Sequence, residues 1–87
     1  MATRQSVDAL IQQCEDALRF ASEQYTESSL QQQYNDDNYT QALQQLEGAY
    51  NDLAQMAQSA NGQQREQLHR MRLQLQQAQN QMILLDH

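Results

Sequence analysis

Glu66 and His69 stand three residues apart in the run Glu66-Gln67-Leu68-His69, the Glu-x-x-His unit with which carboxylate-bridged di-iron helical bundles line a metal site. Residues at i and i+3 leave one face of a helix together, so a carboxylate and an imidazole at that spacing can share a metal ion. Such a site also needs a second unit and further inward carboxylates. This chain has one unit, and Glu66 falls away from the face shared by Leu68 and Met71. A solvated helix face is the simpler account, and a metal-binding or redox bundle built on Glu66 and His69 is the alternative. Cys14 and His69 are the single thiol and the single mid-chain imidazole, which raises a Cys-His nucleophile pair. Cys14, however, occupies a periodic apolar face, where a thiol packs as a small hydrophobe and its pKa rises. Asp36-Asp37-Asn38 lacks the alternating spacing and terminal Glu of a helix-loop-helix calcium site and reads as a turn with capping acids. There is no glycine-rich phosphate loop, serine triad or Cys-x-x-Cys unit. We expect no catalytic residue, no cofactor and no enzyme.

Two other sets of residues suit binding rather than catalysis. Arg65, His69, Arg72 and Gln76 follow at i, i+4, i+7 and i+11, a cationic stripe on one helix face. It could dock an acidic partner, or it could neutralise the acidic remainder of the chain within one molecule or across a dimer. Phe20, Leu30 and Leu73 lie off the main apolar stripes by about 200° of helical rotation. Singly exposed apolar residues are ordinary on soluble proteins; the alternative is a second apolar face used in a homodimer or a partner contact.

The elements that carry these residues follow from three apolar ladders at 4-3 spacing. They run Val7, Ile11, Cys14, Leu18, Ala21, Tyr25, Ser28; Tyr39, Leu43, Leu46, Tyr50, Leu53, Ala57; and Leu68, Met71, Leu75, Ala78, Met82, Leu85. Each is one helix face that must be hidden from water. Helices are expected over about 6–33, 38–58 and 62–85, the first capped by Ser6. Gly48 interrupts the second helix and suggests close approach of a neighbour, since an unneeded helical glycine costs about 1 kcal/mol. Tyr34-Asn35-Asp36-Asp37-Asn38 supplies one reversal. Asn61 and Gln64 form a capping-box pattern beside the turn signal Asn61-Gly62. The fold expected is all-α, an antiparallel up-down-up three-helix bundle forming one domain over 1–87, with Tyr25 near Leu46 and Tyr50. The alternative is a two-helix hairpin with one long helix from Asn38 to Leu85, dimerising into a bundle.

The chain has 87 residues, no proline and a net charge of −6. Residues 6–58 carry nine acids against Arg19 alone, whereas residues 59–85 carry Arg65, Arg70 and Arg72 against Glu66. An acidic chain repels phosphate backbones, and three arginines neutralise too few phosphates for useful binding, so neither nucleic acid nor an anionic membrane is an expected partner. Met1-Ala2-Thr3-Arg4-Gln5 leads straight into an amphipathic helix, and nowhere do the ~18 continuous apolar residues of a membrane span occur. With one cysteine, a reducing cytoplasmic setting is expected.

The segment Tyr39-Thr40-Gln41-Ala42-Leu43-Gln44-Gln45-Leu46-Glu47-Gly48-Ala49-Tyr50 looks like one helix of a tetratricopeptide repeat, but no second copy follows and one copy makes no solenoid. Met1-Ala2-Thr3-Arg4-Gln5-Ser6-Val7-Asp8 and the run from Asn61 through Arg65, His69 and Arg72 to Leu75 resemble a family of short YtzC-like proteins of Bacillus-type bacteria, which has no assigned function. That resemblance implies a cytosolic bacterial setting and carries over no activity and no site residues. The function expected from the residues is a non-enzymatic interaction module that binds a protein, itself in a homodimer foremost, through Arg65, His69, Arg72 or the off-ladder Phe20, Leu30 and Leu73.

Overall fold

Thr3, three residues ahead of the expected Ser6, starts the first helix of the computed structural model. Its hydroxyl oxygen accepts from the Ser6 backbone N–H at 3.0 Å and shares a 2.7 Å hydrogen bond with the Ser6 hydroxyl. Both are good N-caps; the earlier one prevails because Arg4 and Gln5 are themselves strong helix formers and add a turn. Helix α1 thus spans Arg4–Gln31, α2 Asp37–Ala57 and α3 Gly62–Leu85. The structure describes the backbone of residues 2–31 and 37–85 and the side chains of 2–27 and 37–84. The expected end of the first helix at Gln33, the turn residues Tyr34, Asn35 and Asp36, and the side chain of Leu30 lie outside the described residues.

The second break is a true turn, which excludes the long continuous helix. Gln58, Ser59 and Ala60 donate to the carbonyls three residues back, at 3.2, 3.1 and 3.4 Å, tightening the end of α2. The capping box read from the sequence then opens α3: Asn61 Oδ1 accepts from the Gln64 N–H at 2.9 Å, and Gln64 Oε1 from the Asn61 N–H at 3.0 Å. Two long-range bonds fix the directions. Ala2 N–H donates to Ser59 O at 3.1 Å, tying the start of α1 to the end of α2, and the Tyr39 hydroxyl donates to the Met82 carbonyl, tying the start of α2 to the end of α3. The helices run up, down and up, each touching the other two. The longest dimension, 44 Å, is close to the ~42 Å that 28 residues of α1 reach at 1.5 Å per residue.

The core keeps the heptad rhythm but shifts it in two helices. The deepest residues of α1 are Val7, Leu10, Cys14, Ala17, Ala21 and Gln24; those of α2 are Tyr39, Ala42, Leu46 and Leu53. The expected rungs Ile11, Leu18, Tyr25, Leu43, Tyr50 and Ala57 pack half-buried along the flank of that seam. A helix with two neighbours must bury a stripe wider than one seam, and here a third position per heptad is covered in part. Helix α3 buries its rungs Leu68, Met71, Leu75 and Met82 and half-buries Ala78, while the side chains of the rungs Leu85 and, in α1, Ser28 lie outside the described residues. Tyr25 lines a groove with Ala78 and Met82 of α3, and the Tyr50 hydroxyl accepts from Arg72. Two local expectations change. Phe20 is half-buried against the core instead of standing off it. Gly48 faces open space, with no atom within 4 Å of where a Cβ would stand, so no neighbour requires it.

Candidate functional site

The heptad flank that is apolar in α1 and α2 is polar in α3. There it reads Arg65, Arg72 and Gln79, the first two lining a shallow groove with α2. Ala54, Ala57 and Gln58 of α2 and Arg65, His69 and Arg72 of α3 line this groove, which has a volume of about 320 Å³. The sequence placed Arg65, His69 and Arg72 on one stripe, and the structure brings all three to this one groove.

Each arginine of the groove is held by a neutral acceptor. Arg65 Nε donates to the Ala57 carbonyl at 3.1 Å, placing positive charge at the carboxyl end of α2, where the helix dipole is negative. Arg72 Nη2 donates to the Tyr50 hydroxyl at 3.0 Å while its guanidinium carbon sits 4.9 Å from the Tyr50 ring centre, a cation–π contact. Arg72 Nε is covered and has no hydrogen-bond partner. His69 is exposed on the groove wall. Among the described residues the ion pairs are Arg19–Asp16 at 3.5 Å and Arg70–Glu66 at 2.7 Å, both exposed and each within a single helix. Among the described residues the arginines of the groove therefore make no ion pair with the acids of α1 or α2.

Cys14 is fully buried in the core, whereas His69 is exposed on the groove between α2 and α3. Burial pushes the Cys14 thiol from 9.0 to about 11, with Asp52 and Glu15 adding in the same direction, which is the reverse of nucleophile activation. Glu66 gives a carboxylate oxygen to Arg70, and among the described residues no group of three or more His, Cys, Asp or Glu could hold a metal ion.

The off-ladder set divides. Leu73 is exposed at 52%, Phe20 is half-buried, and Leu30 lies outside the described side chains. Two residues that the spacing did not single out, Ile83 and Leu84, are exposed at 55% and 67%. Their signal was their place: both fall between the rungs Met82 and Leu85.

A family model described as a protein of unknown function, DUF2524, matches residues 1–84. The chain belongs to the DUF2524 family. The similarity extends to an uncharacterised protein, YtzC, of Bacillus subtilis (strain 168), 57% identical over 84 residues that make up 97% of this chain and 93% of the relative. The DUF2524 match covers both runs on which the YtzC-like resemblance rests. No solved structure matches this DUF2524 chain. Among its described residues no helix is long and apolar enough to cross a membrane.

Proposed function

We propose that the chain is a non-enzymatic helical interaction module of the bacterial cytoplasm that docks a protein partner along α3. The observation that carries this reading is the charge left over on that helix: Arg65 and Arg72 bind neutral acceptors, and the acid on α3, Glu66, is paired with Arg70. Charged groups placed this way set partner choice and encounter rate more than they set fold stability. The test is a matched capture from a Bacillus lysate with the wild-type chain and an Arg65→Gln/Arg72→Gln chain as baits. A protein retained by the first and lost from the second is the expected result; identical capture by both baits would remove α3 as the docking surface.

Self-association is the second reading, favoured by the exposed Leu73, Ile83 and Leu84 on the same helix. Sedimentation velocity over a concentration series decides it. A dimer weakened by Leu84→Asp supports the reading, and a monomer throughout rejects it.

A further inference from the structure

We infer that the groove between α2 and α3 is a carboxylate-binding site whose occupant is an acidic segment of a different protein. This inference rests on the docking reading above and specifies the partner's chemistry. Every charge-bearing side chain that lines the groove is basic or an imidazole: Arg65, His69 and Arg72, over a floor of Ala54 and Ala57. In a chain of net charge −6, a surface left this unbalanced is a local exception, and a carboxylate is what complements it. The Arg65 fork spends its Nε on the Ala57 carbonyl and the Arg72 fork one terminal nitrogen on Tyr50, which leaves further N–H donors on each guanidinium. The aliphatic stems and alanine floor suit the methylenes of a glutamate-rich peptide.

A second copy of this chain is the weaker fit. The exposed acids Glu15, Asp16 and Glu23 stand on α1 and Glu47 and Asp52 on α2, and none of them lines the groove, which is built from α2 and α3 residues alone. Joining such an acidic surface to the groove is a head-to-tail contact, which propagates into open chains instead of closing into a dimer.

The experiment is a titration of the isotope-labelled full chain, followed by amide and arginine side-chain NMR, with a blocked octaglutamate peptide and with its octaglutamine counterpart. The expected result is shifts centred on Ala54, Ala57, Arg65, His69 and Arg72 with the acidic peptide alone, fading as salt is raised. Each of Arg65→Gln and Arg72→Gln weakens binding by about two- to five-fold, the range for a solvent-exposed ion pair, and Arg70→Gln leaves it unchanged. The Arg65→Gln chain keeps the inference testable if Arg72→Gln unfolds the bundle. Absence of shifts, equal response to octaglutamine, or an affinity in the Arg65→Gln chain equal to that of the wild type would overturn the inference. Salt-sensitive head-to-tail assembly of the wild-type chain that Arg65→Gln abolishes would instead give the groove to a second copy. If α3-dependent capture survives while octaglutamate fails, the docking reading stands and the carboxylate assignment falls.

Discussion

Cys14 shows how one buried position settles a question of chemistry. A thiolate there would lose its hydration and face Asp52 and Glu15, so the fold holds the neutral form and the thiol titrates at about 11 instead of 9.0. The sign of the pH dependence follows. A raised folded-state pKa contributes stability that is complete below the unfolded value and is lost as pH climbs through the folded one. Thermal melts of the wild-type chain should therefore fall more steeply between pH 9.0 and about 11 than those of a Cys14→Ala chain, and parallel curves would contradict the assigned environment. Gly48 sits at the opposite extreme. Its site is open and helical, so Gly48→Ala is expected to stabilise the protein by about 1 kcal/mol in urea unfolding; a loss of stability would mean that a neighbour does approach there. The sequence suggested such a neighbour because an unneeded glycine is costly within a helix, and only the three-dimensional surroundings show that nothing needs it.

At the scale of elements, the signals that were local were the ones that could be read. Asn61 and Gln64 specify their own reciprocal bonds, and α3 begins where they stand. Replacing Asn61 by Ala should cost about 1 kcal/mol. Adding Gln64→Ala should then cost less than it does alone, because the two side chains cap one helix end together. Full additivity in a double-mutant cycle of chemical denaturations would show that the box contributes nothing as a unit. The start of α1 was ambiguous, since Thr3 and Ser6 are both competent caps. The seam was ambiguous for a similar reason: beside Val7 stand both Leu10 and Ile11, beside Cys14 both Ala17 and Leu18, and periodicity alone does not say which of each pair faces inward. Two neighbouring helices decide it, covering Leu10 and Ala17 deeply and leaving Ile11 and Leu18 on the flank. The groove was legible as a stripe of spacing. Its neutral acceptors, the Ala57 carbonyl and Tyr50, were not, because both belong to a different helix.

For the molecule as a whole, the division of charge has a measurable consequence. Acids dominate α1 and α2, and among the described residues no ion pair joins one helix to another. Screening then removes repulsion without breaking cross-helix attraction, so the melting temperature should rise as sodium chloride is added from roughly 0.01 to 0.1 M, which shortens the Debye length from about 30 to about 10 Å. A fall would reveal interhelical pairs that stabilise the bundle. Exposed apolar residues gather on α3 together with the unbalanced arginines, which is why the partner surface is assigned to that helix. All of this depends on α2 and α3 lying antiparallel with Arg72 over Tyr50. Interhelical nuclear Overhauser contacts in solution test it most directly. The account predicts contacts from the Tyr50 ring to the Arg72 side-chain methylenes and from the Tyr39 ring to Met82. Absence of both, together with sequential helical contacts running unbroken from Met56 through Gly62, would contradict it.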